Sequence, residues 1–294
     1  MTHGSRPPGE QGMILINVLL FVAIAAGLVL LMINREELAL DQGLRGREAA
    51  RAAAIARGGE LSALAALRRD VADAADVDYR GEPWGAVAQQ RVEIDGGSFE
   101  LAIADAQDRF NINNVLSGDA GAVTMFENIG TYAGLSRDEI IQAIGFVRQY
   151  GPVSDLRPLR LAGVAPDVAA RLERLVTALP GDTAINLNAA TPEMLRYLFP
   201  DNAAAERLLA IRARNGQLVL SDFADAQLSP PAGTRFSSDT FWVWTRATIG
   251  DTRQQLATLI QRRRGADGDE VVPVARWRNA AVPAAAPRSE RDAG

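Results

Sequence analysis

The sequence predicts an α+β fold in which one long N-terminal helix packs on an antiparallel sheet and a large all-α segment interrupts that sheet. Three observations lead to this prediction. A charge-free apolar run near the N-terminus continues as an amphipathic helical pattern. Two later stretches alternate apolar and polar residues as β-hairpins do. Residues 111–234, between these stretches, have helical periodicity instead.

The composition excludes the common catalytic chemistries. Cysteine is absent, and the only histidine is His3, close to the N-terminus. A Ser-His-Asp triad, a Cys-His pair and a His-ligated zinc site therefore cannot be built within the chain. Enzymes that move protons near pH 7 usually rely on histidine. We therefore predict that the chain is not an enzyme.

The charge distribution opposes binding to nucleic acid. The formal net charge is −5, and all 31 basic residues are arginine. Residues 111–232 hold ten arginines against thirteen acidic residues, a net charge of −3. Because phosphate binding requires a basic surface, we expect no nucleic-acid partner. A membrane-tethered DNA-binding protein with helix-hairpin-helix motifs is the least favoured alternative.

Residues 13–33 are predicted to span a membrane. They contain no charge and one polar side chain, Asn17, and they cover about 30 Å as a helix, the thickness of the hydrocarbon core. We assign Ile14, Asn17 and Ile33 to this membrane and assembly helix. His3, Arg6 and the amino terminus precede the span, and Arg35, Glu36 and Glu37 follow it, which favours the N-terminus in the cytoplasm and the bulk of the chain outside.

A short leader, residues 1–12, precedes the span. The small residue Gly12 lies immediately before Met13, whereas no small-residue cleavage site follows the apolar run. The apolar helix is therefore expected to remain in the mature protein. Pro7 and Pro8 should keep the leader out of the helix.

Residues 34–70 continue the helix with an amphipathic pattern. Small and apolar residues recur at three- and four-residue spacing and form one stripe. We predict that this part of the helix packs on a soluble domain. We also predict that the stripe contacts partner helices, because small residues allow close helix approach; the alternative is that the stripe faces the sheet of the same chain. The proposed contact positions are Ile55, Ala56, Gly59, Ala63 and Leu67.

The strand-forming stretches flank the helical segment. Residues 91–104 form one predicted hairpin, and residues 241–249 with 254–262 form another. Residues 271–277 add an edge strand, since Pro273 cannot donate a hydrogen bond to a central ladder.

The helical segment contains two similar units. Residues 110–113 (Phe-Asn-Ile-Asn) recur as residues 185–188 (Ile-Asn-Leu-Asn), each opening one unit. We interpret these asparagines as structural, because their side chains bond local backbone groups in turns. Four helices are predicted in this segment, at residues 138–150, 165–179, 191–199 and 202–215.

Three acidic residues near the C-terminal end could offer oxygen ligands to calcium. Asp267, Asp269 and Glu270 lie in a glycine-containing stretch. Such runs are more often solvated loops. We therefore predict no cofactor and assign no metal site, leaving calcium open.

The N-terminal region resembles the type IV pilin class, in which a glycine-ended leader precedes a retained apolar helix. Residues 12–20 resemble a prepilin peptidase site, which implies cleavage after Gly12 and N-methylation of Met13. Most pilins carry glutamate at the fifth mature position, where this chain has Asn17. A carboxylate there complements the amino terminus of a neighbouring subunit, and an unpaired charge in a membrane is costly.

One subfamily known for lacking that glutamate is the type II secretion minor pseudopilin K. Residues 105–113, 185–195 and 236–238 resemble its characteristic segments in the same order. The resemblance implies a pilin-like fold with an inserted domain of two SAM-like helical units. It also implies a tip subunit of the type II secretion pseudopilus, needed for export of folded proteins across the outer membrane.

The resemblance further implies partners and a location. The expected partners are the minor pseudopilins I and J, with H, and the prepilin peptidase. The expected location is the inner membrane, spanned once, with most of the chain in the periplasm. A minor pilin of a type IV pilus shares the leader and shaft and stays as an alternative.

The expected organisation is a leader (1–12), a membrane helix (13–33), an amphipathic helix (34–70), a sheet-forming domain (71–110 and 235–278), an inserted helical domain (111–234) and a disordered tail (279–294).

Overall fold

The computed structural model describes residues 9–73, 76–265, 268–283 and 285–287. The first element, α1, is one continuous helix of 65 residues, Gly9–Asp73. At 1.5 Å of rise per residue it is about 100 Å long. The predicted membrane helix and the predicted amphipathic helix are therefore two parts of a single element, and Gly43, Gly46 and Gly58 do not interrupt it. The expectation that the leader stays out of the helix is wrong for residues 9–12, which form its first turn.

Apart from the short helix that follows α1, the remaining elements belong either to the sheet or to the helical segment that lies between β2 and β7 in the sequence. In chain order they are α2 (Pro83–Ala86), β1 (Gln89–Ile94), β2 (Gly97–Asp105), β3 (Phe110–Asn111), α3 (Ala120–Ala133), α4 (Arg137–Tyr150), α5 (Pro166–Leu175), β4 (Val176–Thr177), β5 (Ile185–Asn186), α6 (Pro192–Leu198), α7 (Asn202–Asn215), α8 (Leu220–Asp225), β6 (Thr234–Arg235), β7 (Thr240–Ile249), β8 (Thr252–Gly265) and β9 (Gly268–Arg278). Short 3-10 turns lie at Ile112–Leu116, Arg157–Ala162 and Asn279–Ala281.

One antiparallel sheet has the strand order β1-β2-β7-β8-β9. Both predicted hairpins are present, and β9, which contains Pro273, is an edge strand as predicted. The inner face of the sheet packs against α1. Phe241 of β7 pairs with Ile260 of β8, and both are buried together with Ala63 and Leu67 of the helix. The long helix and the sheet thus share a hydrophobic core.

The outer face of the sheet, opposite α1, is aromatic. Trp242 of β7 and Trp277 of β9 have ring centroids 5.3 Å apart, and the segment after β9 packs beside them, with Ala286 buried. The prediction of a disordered tail is therefore wrong for residues 279–283 and 285–287. Small apolar and proline side chains there fill the surface next to the tryptophans. Residues 284 and 288–294 of that predicted tail lie outside the described residues.

The helices between β2 and β7 share a second core. It includes Phe110, Phe126, Ile129, Leu172, Met194, Leu208 and Phe223. The two units repeat a small strand pairing that the sequence did not predict: β3 pairs in parallel with β4, and β5 pairs in parallel with β6.

Three of the four helices predicted in the segment, α4, α6 and α7, agree with prediction to within a residue or so. Thr191 caps α6 by accepting a hydrogen bond from the backbone N–H of Met194, with proline at the first helical position, as expected. The predicted end of α5 at residue 179 is wrong. The helix ends at Leu175 because Val176 and Thr177 leave it to pair with β3. Helices α3 and α8 were not predicted.

Candidate assembly surface and the joint between sheet and helices

Burial divides α1 into a free half and a packed half. Side chains of residues 15–47 are exposed, apart from the partly exposed Gly27. The most apolar 18-residue window of this helix has none of its residues buried in the structure. A helix from the core of a soluble protein would be buried over such a stretch. The free half is therefore a candidate membrane anchor.

The residues assigned to membrane and assembly lie in this free half. Asn17 and Ile33 are exposed on it. Gly12, Met13 and Ile14 belong to the backbone of α1, and their side chains lie outside the described part of the structure. The exposed position of Asn17 leaves its amide free to contact another molecule.

The free half continues past the charge-free run. Leu40 and Leu44 are 67% and 52% exposed and are four residues apart, so they lie on the same helix face. Between them is Gly43, where an added Cβ would meet open space. Apolar and small side chains together on an exposed helix face permit close packing of another helix.

The predicted partner stripe lies in the packed half instead. Ala56, Ala63 and Leu67 are buried against the sheet, Gly59 is buried, and Ile55 is partly buried at the same surface. The prediction that these five residues contact partner helices is therefore corrected. The small residues do allow a close approach, but the approaching surface is the sheet of the same chain.

Polar contacts hold the packed half in register with the sheet. Arg51 donates a hydrogen bond to Asp95 in the β1–β2 turn at 2.8 Å. Glu60 is 1% exposed and forms an ion pair with Arg276 of β9 at 2.9 Å. Because these contacts occur at separate points along α1, the helix cannot slide on the sheet without breaking them.

The C-terminal end of α1 is held by one arginine. The guanidinium of Arg262 in β8 forms ion pairs with Asp70 of α1 and, at 2.6 Å, with Asp78 in the segment that follows. It also lies 4.5 Å from the ring centroid of Phe241. Burial raises the pKa of Asp78, and the charge of Arg262 acts against that rise.

Three buried carboxylates meet at this end of α1. Asp70, Asp78 and Glu82 bring carboxylate oxygens within 4.8 Å of one another. Two of these carboxylates pair with Arg262, and Glu82 accepts from the indole N–H of Trp84 at 2.8 Å. The arginine therefore supplies the positive charge that a cation would supply, and we assign no metal here.

Two of the three acidic residues considered as calcium ligands lie in a β-strand. Asp269 and Glu270 lie at the start of β9, where their backbone partners are Arg264 and Arg263 of β8. Asp267 lies outside the described residues. The hairpin thus places two of the three acidic residues in a regular strand.

A hydrogen-bonded joint connects the sheet with the second helical unit. Asp105 at the end of β2 accepts from Asn186 Nδ2 and from the Ser238 hydroxyl, both at 2.7 Å. Gln107 donates to the Ala184 carbonyl at 2.7 Å and accepts from the backbone N–H of Thr240. Burial raises the pKa of Asp105 to about 7, against the lowering effect of these hydrogen bonds.

Sequence reasoning gave a structural role to one of these joint residues, whereas Asp105, Gln107 and Ser238 fall in segments that carry the family resemblance and were assigned no role. Asn186 was interpreted as a structural asparagine, and it does accept from the backbone N–H of Asn188 at 2.9 Å. Its bond to Asp105 joins residues 81 positions apart. Arg262 bonds groups 184 and 192 positions away. No local pattern in the sequence signals such pairs.

The fold and the free helix define the class of protein. A long N-terminal helix that packs its C-terminal half on an antiparallel sheet, and leaves an apolar half exposed, is a pilin-like α+β fold. One chain of the crystal structure of the GspK-GspI-GspJ complex from the enterotoxigenic Escherichia coli type 2 secretion system has this fold. It matches with a TM-score of 0.62 and 15% sequence identity, covering 81% of this chain and 99% of that chain.

Sequence comparison points to a particular member of this class. Type II secretion system protein K of Pseudomonas aeruginosa is 28% identical over 311 aligned residues, covering 88% of this chain and 90% of the relative. The Klebsiella pneumoniae protein of the same name is 27% identical, covering 86% and 93%. No family model matches the chain. The expected resemblance to type II secretion system protein K is thus confirmed by relatives that extend over most of the chain.

Proposed function

We propose that the chain is a minor pseudopilin that caps the tip of a type II secretion pseudopilus and serves the export of folded proteins across the outer membrane. The observation that carries this proposal is the free half of α1. Its first part, up to Ile33, is apolar and long enough to cross a membrane, and the rest of the chain does not bury it. The two relatives named as type II secretion proteins support the choice of system.

Two features favour the tip over the body of the filament. Asn17 replaces the carboxylate that complements a neighbouring amino terminus in most pilins, and a tip subunit has no subunit above it that needs this charge. The helical segment between β2 and β7 has its own core and adds bulk beside the sheet. Such bulk would obstruct repeated packing along a thin fibre.

The proposed partners are the minor pseudopilins I and J, with H. The pilin-like neighbour comes from a crystal structure of a GspK-GspI-GspJ complex, which supports this choice. Because the predicted stripe is buried on the sheet, we place the contact on the free half of α1. The face that carries Leu40, Gly43 and Leu44 is its most suitable part outside the charge-free run.

The proposal includes the processing and arrangement of the chain. The prepilin peptidase would cut after Gly12, and residues 13–33 would lie in the inner membrane with the following part in the periplasm. We retain residues 111–234 as an inserted helical domain within a sheet-forming domain at 71–110 and 235–278. The chain would act by binding, without catalysis.

Co-purification of the full-length chain with minor pseudopilins I and J from the same genome tests the interface. Leu44→Arg places a charge on the proposed contact and should abolish recovery of the complex, because burying an unpaired charge is costly. Leu220→Arg is the matched control, since Leu220 is also a highly exposed leucine and lies on α8 in the helical segment. It should leave the complex intact.

Two results would contradict the proposal. If Leu44→Arg, with unchanged circular dichroism, still binds both partners and supports secretion, the free half of α1 is not the interface. If the wild-type chain alone polymerises into long fibres, it is a repeating subunit and not a cap.

A further inference from the structure

A groove of about 400 Å³ lies between the packed half of α1 and the strands β8 and β9. Three arginines line it, Arg57 of α1 and Arg276 and Arg278 of β9, and none of its described lining residues is acidic. The chain as a whole carries a net charge of −5. The groove is therefore a basic surface on an acidic protein.

One buried carboxylate offsets only part of this positive charge. Glu60 forms an ion pair with Arg276 at 2.9 Å and a second one with Arg57. Two guanidinium groups thus share a single carboxylate, and their side chains stay 34% and 44% exposed. Arg278 is exposed and has no bonded partner among the described residues. Three arginines against one carboxylate leave an excess of positive charge that is open to solvent.

The polar groups of the groove are mainly hydrogen-bond donors. A guanidinium group can donate but cannot accept. The side-chain oxygen of Gln254, another lining residue, accepts from Asn279 Nδ2 at 3.0 Å, and the NH₂ group of the same side chain adds a further donor. A carboxylate complements such a lining, because it accepts hydrogen bonds and carries a negative charge.

The position of the groove along α1 favours a protein over a lipid as the source of negative charge. Arg57 lies 24 residues beyond Ile33, the end of the charge-free run, which corresponds to about 36 Å of helix. Lipid headgroups extend only about 5–8 Å beyond the hydrocarbon core on each side. They therefore do not reach the groove. A nucleic acid is opposed by the net charge of the chain.

We propose that this groove is a docking site for an acidic segment of a partner protein, with at least two carboxylates that face Arg278 and the pair of Arg57 and Arg276. The site goes beyond the proposed function and is separate from the contact placed at Leu44. Ala53, which lines the groove, follows Leu44 by nine residues, or about two and a half helical turns. The two surfaces thus lie on opposite sides of α1.

Fluorescence anisotropy of a labelled peptide with the full-length chain in neutral detergent micelles tests the proposal. The probe is a synthetic hexapeptide amide of alternating aspartate and glutamate, and the control peptide alternates asparagine and glutamine. The acidic peptide should bind saturably with a dissociation constant below about 1 mM. Its affinity should fall at least about 5-fold between roughly 0.05 and 0.5 M salt, because exposed charges are screened. The neutral peptide should not bind in this range.

Two charge reversals separate the groove from the overall charge of the chain. Arg278→Glu should weaken binding of the acidic peptide about 5- to 20-fold, because attraction becomes repulsion. Arg253→Glu is the matched control, since Arg253 is also exposed, lies on β8 and does not line the groove. It changes the net charge equally and should weaken binding less than about 2-fold. If Arg278→Glu alters the circular dichroism, Arg278→Gln takes its place and should weaken binding about 2- to 5-fold.

Three results would overturn the inference. The first is no binding of the acidic peptide at about 1 mM, and the second is an equal loss of affinity in the variants of Arg278 and Arg253. The third is displacement of the peptide by sn-glycerol 3-phosphate at a lower concentration than by succinate, which would make the groove a phosphate site. Leu44→Arg should leave peptide binding unchanged, so failure of this inference is distinguishable from failure of the proposed contact on the free half of α1.

Discussion

Gly59 of α1 lies against the ring of Phe99 in β2, so closely that a Cβ atom at residue 59 would come within 2.6 Å of the ring Cζ. The same Cβ would lie 2.9 Å from Cγ2 of Thr245 in β7. Real Cβ atoms essentially never approach other heavy atoms within 3.0 Å. Glycine therefore sets the depth at which the helix packs on the sheet.

Substitution of Gly59 should consequently destabilise the protein. Gly59→Leu forces a large side chain between helix and sheet and should lower the free energy of unfolding by about 1–3 kcal/mol, because overpacking shifts backbone and rotamers. Gly58→Leu is the control in the next position, where an added Cβ meets open space. It should be neutral or stabilising by up to about 1 kcal/mol, since leucine favours a helix more than glycine does.

Urea denaturation of both full-length variants in detergent measures the difference. Equal stabilities for the two variants would show that α1 does not pack on the sheet through residue 59. The stripe containing Ala56, Gly59 and Ala63 would then again be available to a partner.

The spacing of the stripe predicts close packing but does not identify the partner. Small residues at three- and four-residue intervals fit a neighbouring helix and a sheet equally well. The hairpins were easier to predict, because apolar and polar residues that alternate on either side of a glycine-containing turn form a local pattern. The strands β1, β2, β7 and β8 all show this pattern. Which surface covers α1 depends on where the sheet lies, and that is set by long-range pairing such as β2 with β7.

Arg262 provides a second test of the fold. Arg262→Met should destabilise the protein by about 3–5 kcal/mol, because it leaves the buried carboxylates of Asp70 and Asp78 without their shared positive charge. Arg263→Met, one residue further along β8, is the control, since the Arg263 side chain is exposed and bonds only Gln261 among the described residues. It should change stability by less than about 0.5 kcal/mol. Thermal denaturation compares the two, and a small effect of Arg262→Met would mean that the carboxylates find other partners.

The raised pKa of Asp105 predicts that stability falls as the pH rises. The carboxyl has an ordinary pKa of 3.8, and burial raises it to about 7 in the folded protein. The folded state therefore holds the proton more tightly than the unfolded state, and the resulting stability is lost as the pH rises from about 4 through 7. Burial raises the pKa of Asp78 and of Glu82 as well, which adds to the same trend.

Chemical denaturation at pH 5 and pH 8 measures this dependence. The wild type should be less stable at pH 8, by on the order of 1–2 kcal/mol. Asp105→Asn cannot titrate at this position and should show a smaller difference. Asp95→Asn is the control, because the Asp95 side chain is 93% exposed, and it should retain the wild-type difference. An unchanged pH difference in Asp105→Asn would exclude Asp105 as its source.

The repeated asparagines of the two helical units have equivalent roles. Asn113 accepts from the backbone N–H of Val153 and donates to its carbonyl, both at 2.9 Å. Asn188 accepts from the N–H of Leu218 at 2.6 Å and donates to its carbonyl at 3.1 Å. The duplicated sequence pattern predicted that these asparagines fix turns. The partners, 40 and 30 residues away, could not be predicted, because they depend on the tertiary packing of each unit.

Removal of either asparagine should therefore destabilise its unit. Asn113→Ala and Asn188→Ala each leave a backbone N–H and a carbonyl without their partner and should cost about 2–4 kcal/mol. Asn215→Ala, at the exposed end of α7, should have little effect. Hydrogen exchange measured by mass spectrometry should show faster exchange around residue 153 in the first variant and around residue 218 in the second. Identical exchange patterns in both variants would contradict separate roles.

Processing of the leader is the prediction that most directly tests the relation to pilins. Met13 should be the first residue of the mature chain, with a methylated amino group, because Gly12 abuts a retained apolar helix as in a prepilin site. Gly12→Leu should block cleavage, since the expected site requires a small residue, whereas Gly9→Leu alters the same leader and should be processed normally. Intact mass and N-terminal sequencing of membrane-extracted protein distinguish the forms. A wild-type chain that begins at Thr2, or anywhere beyond Ile33, would show that the apolar helix is not handled as a pilin helix, and the proposed tip role would lose its basis.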